Sequence, residues 1–307
     1  MTIPGCLRRR PPIRFTAWLL LASIATCFAN PPRPRVVSPG SGWSVTYPAA
    51  NHGRPTRAAA VALADDSLLV SVTLPGADAG KPTLRYGNSI VPADLVGHDP
   101  VSRLSFLRVK GPAPETPATW LPEAGPSIGA PLTAATSSAA IKCRATGWAK
   151  QVGGKILPLA LLRVTFDRGV PVSGTPLLDA SGHVVAIVLQ PSQQKLTAYA
   201  IPAEAVHRVF SDISSKGKLT RGWLGLTLRA ENPSPQIVRV FANSPASNAG
   251  LRPSDVLQRV GSRPINDYAD AANAFFYLAP GQPVKIAFLR GVEPMEASLT
   301  PTLPPQN

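Results

Sequence analysis

The sequence predicts a mainly β chain in two parts with a helix between them, on three observations. Over residues 43–189, short apolar runs are broken by Gly, Pro, Asn and Asp, the pattern of an all-β barrel or sandwich. Beyond that, Val206, Val209, Phe210 and Ile213 recur at helical spacing. From Arg221 onward, strands and short helices alternate over about a hundred residues, a normal size for a small domain.

The elements follow in order. Strands are read at 59–64, 68–74, 82–86, 104–109, 141–148, 156–164 and 184–189, with Asp179-Ala180-Ser181-Gly182 turning between two of them. The helix covers 203–214 and stops at Lys216-Gly217-Lys218, Gly217 serving as a left-handed cap. Residues 222–226 open a strand of the second part, and 237–241 form another. Ser244 caps a short helix with Pro245 in its first turn, and Gly250 ends it. Residues 255–260 form a strand and 268–278 a helix that stops before Pro280-Gly281. The strands 284–289 and 295–299 pair around Arg290-Gly291.

With 307 residues, 44% hydrophobic, the chain can bury more than one core. Residues 1–29 read as an export signal: Arg8, Arg9, Arg10 and Arg14, then an apolar run from Phe15, then small residues ending at Ala29. A lipidated Cys27 and an uncleaved anchor are the lesser alternatives. Residues 30–40, rich in proline, form an extended linker. Of the three cysteines, Cys6 and Cys27 fall in the signal, so Cys143 can form no intrachain bridge and reads as a small buried side chain. The formal charge is +14, and loss of the four signal arginines leaves +10. Those charges are scattered, with no basic helix or interleaved aromatics, which argues against nucleic acid as a partner. Neither Cys143 nor the four histidines have metal-ligand spacing, and no cofactor motif is present.

Pro171-Val172-Ser173-Gly174-Thr175-Pro176 resembles the nucleophile motif of trypsin-like serine proteases. Residues 201–225, ending in Gly222-Trp223-Leu224-Gly225, resemble the barrel-to-PDZ junction of the HtrA/Deg family. Ser244-Pro245-Ala246, Ala249-Gly250-Leu251 and Asp255-Val256-Leu257 are similar to its PDZ signature. The resemblance implies a trypsin-like double β-barrel at 41–201, a bridging helix at 202–219, an α/β PDZ domain at 220–303 and a tail at 304–307. Carried over position by position, the serine is Ser173, the histidine position is Leu74 and the aspartate position is Arg103. Asp99 is the non-catalytic acid upstream, and the glycine that would lend an oxyanion amide is Pro171, which has no N–H. His98, His183 and His207 read as surface or turn residues. His52, in a polar loop before the first barrel strand, is the histidine with most freedom to rebuild a dyad.

The resemblance further implies a PDZ groove that takes a peptide C-terminus by strand addition. Trp223, Leu224, Gly225 and Leu226 would form the carboxylate loop and pocket. Ala272 and Phe276 would form the helical wall, leaving Phe275 and Leu278 to the core. The chain is thus expected to be an exported, non-catalytic binder of peptide C-termini or unfolded chains, periplasmic or secreted, acting in protein quality control. The alternatives are an active HtrA-type serine endopeptidase using Ser173, and a regulatory subunit that assembles with active relatives, in which Trp43 and Tyr47 could serve as contact aromatics.

Overall fold

A computed structural model describes residues 42–51, 53–63, 67–111, 118–121, 125–229 and 234–305. The export signal, the linker and His52 lie outside the described residues.

The first sheet contains β1 (Trp43–Tyr47), β2 (Thr56–Ala62), β3 (Leu68–Val72), β4 (Thr83–Tyr86), β5 (Ser89–Ile90), β6 (Ala93–Asp99) and β7 (Leu104–Val109), in the order β5-β4-β1-β2-β3-β7-β6. The second contains β8 (Pro131–Ala135), β9 (Ala140–Val152), β10 (Lys155–Phe166), β11 (Pro176–Leu178), β12 (Val184–Pro191) and β13 (Thr197–Pro202), closed as β10-β13-β12-β11-β8-β9. The strand pairings identified in both sheets are antiparallel, so alternate residues face inward. In β1 those residues are Trp43, Val45 and Tyr47, each almost fully buried. Trp43 and Tyr47 are therefore core residues, not an assembly surface. Cys143 is inward on β9, and burial pushes its thiol up to about 12, leaving an inert side chain.

Helix α1 (Ala203–Lys216) ends where Gly217 takes φ +74° and donates to the Ile213 carbonyl. Its buried stripe Val206, Val209 and Ile213 joins the cluster that contains the first sheet's interior. Asp212 on this helix is almost fully buried. It accepts from the Thr220 amide (2.7 Å) and pairs with Arg208 (2.7 Å) and Lys216 (3.1 Å). Burial pushes its carboxyl up, but these donors together outweigh burial and hold it below the ordinary value.

The remaining residues form β14 (Leu226–Leu228), β15 (Ile237–Val240), α2 (Pro245–Asn248), β16 (Val256–Val260), β17 (Arg263–Pro264), α3 (Tyr268–Phe276), β18 (Val284–Arg290) and β19 (Glu293–Leu299). Among the described residues β14 pairs only with β15, and the other four strands form a sheet ordered β17-β16-β18-β19. The Ser244 hydroxyl accepts from the Ser247 amide, and Asp267 accepts from the Asp270 amide, capping α2 and α3. One expectation is corrected. Residues 222–225 are not strand: Trp223 instead exchanges both backbone bonds with Thr302 (2.7 and 3.0 Å), and β14 begins only at Leu226.

The long hairpin β9–β10 meets α3. Residues 157–160 interrupt its register, because Pro158 cannot donate to a ladder. The Ala160 amide donates instead to Asn273 Oδ1 on α3 (2.9 Å). Lys150 on β9 pairs with Asp270 and lies 3.7 Å from Asp267. Asp270, Asn273 and Phe276 recur every three residues, so one stripe of α3 faces the hairpin. Arg263 pairs with Glu204 on α1 and sits 3.6 Å above the Tyr277 ring centre.

Candidate functional site

The Ser173 loop lies between the two sheets. The Gly174 amide donates to the Val188 carbonyl of β12 (2.7 Å), and the Thr175 amide and hydroxyl both reach the Val172 carbonyl (3.2 and 2.7 Å). Across the gap, the Ala59 amide of β2 donates to the Ser173 carbonyl (2.7 Å). Gly174 has φ +84°, and a Cβ there would lie 2.0 Å from the Ala59 oxygen, so only glycine fits. Ser173 is largely buried, and its hydroxyl has no hydrogen-bond partner among the described residues. A groove of about 640 Å³ beside the loop is lined by Arg57, Ala59, Thr136, Pro171, Val172 and Thr175.

The segment before Leu74 lies beside Arg103. Leu74 follows Thr73, whose amide donates to the Arg103 carbonyl (2.8 Å). Arg103 has a left-handed backbone (φ +62°), and its Nη2 donates to Gln190 Oε1 on β12 (2.6 Å). Gln190 is two residues beyond Val188, so Arg103 and the Ser173 loop lean on the same strand. Burial lowers the Arg103 pKa, yet a guanidinium stays charged at any working pH. Asp99 is buried and accepts from the Ser102 amide (2.8 Å) and hydroxyl (2.6 Å), closing its own turn.

None of the described histidines bonds Ser173. His98 Nδ1 lies 3.0 Å from Ser105 Oγ and 3.1 Å from the Leu104 oxygen. His183 Nδ1 lies 3.3 Å from Asp179 Oδ2, in the turn. His207 is not a surface residue: it packs edge-on against Trp120 at 5.6 Å with Nε2 buried and without a partner among the described residues. Gln190 had no signal in the sequence, because its contact with Arg103 crosses 87 residues.

Burial holds both His98 and His207 below the ordinary imidazole value of about 6.5. The unfolded chain then takes up protons more readily than the native one as pH falls below about 6.5. Their contribution is complete above that pH and is lost below it, towards the depressed native values. Melting temperature is expected to fall between pH 7 and pH 5, and a His98→Gln/His207→Phe variant to show a flatter profile. A parallel pair of profiles would count against this assignment. Asp212 and Asp270, held low, act only below about pH 4.

The second candidate is the loop entering β14. Gly225 has φ +78°, and a Cβ there would lie 2.1 Å from Ser244 Cβ. The Leu224 carbonyl accepts from the Ala246 amide (2.9 Å), and the Gly225 carbonyl accepts from the Phe241 amide (2.9 Å) and Ser244 Oγ (3.2 Å). In a trans peptide the amide points opposite the carbonyl before it. The Gly225 amide is therefore directed away from α2, and the Leu224 amide away from Thr302. Neither has an acceptor among the described residues. Leu224 is buried in the core of this part and Leu226 is half-buried against it.

The helical wall differs from expectation. Phe276 is 2% exposed and belongs to the cluster of the barrel region, so it does not line the groove. Phe275 is half-buried against the same core as Leu226, and Ala272 is half-buried. Adjacent helical residues point about 100° apart, so once Asp270 and Asn273 fix the docking stripe, Phe276 goes to the hairpin and Phe275 to the other side. Leu278 is a core residue, as expected.

Residues 222–300 match the family model described as PDZ domain. The chain is similar to a probable periplasmic serine endoprotease DegP-like of Brucella suis, 23% identical, covering 89% of this chain and 54% of the relative. It is also similar to a putative serine protease HhoB of Synechocystis, 24% identical, covering 74% of this chain and 61% of the relative. It thus spans little more than half the length of these relatives. Among solved structures, the HtrA-type protease AlgW with tripeptide aligns with a TM-score of 0.64 at 20% identity, over 88% of this chain and 95% of that one. The serine endoprotease from Yersinia pestis aligns with a TM-score of 0.56 at 18% identity, over 87% of this chain and 96% of that one. Two curled antiparallel sheets, a bridging helix and the matched C-terminal module follow one another in the same chain, which therefore has the fold of the HtrA-type proteases it aligns with, a trypsin-like domain followed by a PDZ domain.

Proposed function

We propose that this protein is an exported binder of peptide C-termini whose trypsin-like domain does not hydrolyse peptides. The observation that carries the reading is the Ser173 hydroxyl, which has no base beside it among the described residues, with Leu74 and Arg103 at the positions of base and carboxylate. A serine needs an imidazole to take its proton and a carboxylate to orient that imidazole. Leu74 transfers no proton, and Arg103 disfavours a neighbouring imidazolium. Loss of the base costs on the order of 10⁶ in turnover, and loss of one oxyanion donor, as Pro171 entails, about 10²–10³, without simple addition. The amides of Leu224 and Gly225, without acceptors among the described residues, and the edge of β14 that pairs with no described strand support the peptide site. Residues 1–29 would direct export, in keeping with the periplasmic names of the relatives. No helix among the described residues is long and apolar enough to cross a membrane.

The purified mature chain is expected to leave casein intact, to resist labelling by a fluorophosphonate, and to bind peptides with apolar C-termini. A second reading, a serine endopeptidase using Ser173, is favoured by the names of the relatives. It requires cleavage that disappears in Ser173→Ala. The proposal requires that Ser173→Ala and the parent give the same background rate.

A further inference from the structure

We infer that the groove selects C-termini bearing carboxylates at the second and fourth residues from the end, a preference that rests on the peptide-binding reading above and specifies its ligand. Leu226 and Leu228 are half-buried against the core, whereas Thr227 and Arg229 are exposed. The Arg229 amide donates to the Gln236 carbonyl (3.0 Å), so the ladder and its alternation continue one residue past β14. On β15, Arg239 stands directly opposite Thr227 and is exposed. The sheet therefore has an apolar inner face and an outer face that carries Arg229 and Arg239. Among the described residues, neither arginine has a carboxylate partner.

Arg239 is also held in place. Its guanidinium lies 4.5 Å from the Phe241 ring centre, and that ring lies 5.9 Å from the Trp223 ring. Trp223 immediately precedes the two free amides. The cation is thus set toward the end of the groove where a terminal carboxylate would be received, with its charge unspent.

The register follows from strand geometry. An antiparallel peptide whose carboxylate meets the Leu224 and Gly225 amides places its last residue opposite Leu226, and then successive residues opposite Thr227, Leu228 and Arg229. Side chains alternate between faces, and directly opposed residues share one. The last and third-last side chains therefore point inward with Leu226, Ala272 and Phe275. The second-last lies beside Thr227 with Arg239 one strand beyond, a reach of about 10 Å that an arginine side chain spans. The fourth-last lies opposite Arg229. Carboxylates at those two places gain cations that have no carboxylate partner among the described residues, and ammonium groups there are repelled.

The test uses the full mature chain and fluorescein-labelled decapeptides with one shared apolar last residue. Three versions carry Glu, Gln or Lys at the second and fourth positions from the end. By fluorescence polarisation, the Glu version is expected to bind about three- to tenfold tighter than the Gln version, and the Lys version more weakly than either. The Glu preference is expected to shrink at 0.5 M salt, by about the screening an exposed pair undergoes, and to vanish in Arg229→Gln/Arg239→Gln. Equal affinity for the three versions, or a Glu preference that survives the double variant, overturns the inference while leaving the peptide site in place. Failure of all three to bind removes the peptide-binding reading itself and this preference with it.

Discussion

Gly174→Ala is expected to lower stability by about 3–5 kcal/mol, the range of severe single substitutions. Two effects combine. At φ +84° any L side chain is strained, and the new Cβ would lie 2.0 Å from the Ala59 oxygen and 2.8 Å from its carbonyl carbon. Ala59 cannot step aside cheaply: its amide donates to the Ser173 carbonyl and its carbonyl accepts from Ser71 Oγ (2.8 Å). The substitution thus pushes apart the two sheets at the point where the serine loop joins them. Gly153→Ala provides the comparison. Gly153 also has positive φ (+57°), but open space surrounds it, so only the backbone strain of about 1–2 kcal/mol applies. Urea unfolding of both variants separates strain from collision. Equal midpoints would show that the contact with Ala59 relaxes at no cost.

Phe276→Ala is expected to cost about 3–5 kcal/mol, as for other fully buried aromatic truncations, and to loosen α3 from the β9–β10 hairpin. Phe275→Ala, one residue earlier, is expected to cost less stability and to weaken peptide binding more, because that ring lies against the same core as Leu226. Measured together, urea midpoints and peptide affinities should rank the two variants in opposite orders. A larger loss of affinity in Phe276→Ala would return that residue to the groove wall, where the sequence had placed it.

The exchange between these two phenylalanines shows where sequence reading ran short. Helical spacing marked residues 268–278 as apolar on more than one side, which is correct for a helix packed between two bodies. The spacing could not say which side met which body. That was decided by Asp270 pairing with Lys150 and by Asn273 accepting from the Ala160 amide, contacts separated by more than a hundred residues in the case of Asn273. Likewise, Trp43 and Tyr47 are aromatic and close to the start of the described chain, which suited an exposed assembly role. The alternation of β1 puts them both inside.

By itself the amino-acid order determined the local grammar: strand-length apolar runs, the Gly217 and Ser244 caps, the buried Cys143, and the absence of an N–H at Pro171. These depend on residues within a few positions of one another, or on covalent structure alone. Only the tertiary structure decided that Arg103 reaches Gln190, that the Ser173 loop meets Ala59 of the first sheet, and that Arg239 stacks on Phe241. Such meetings are set by how sheets and helices close against one another. Burial and packing across the whole chain select them, and no local pattern encodes them.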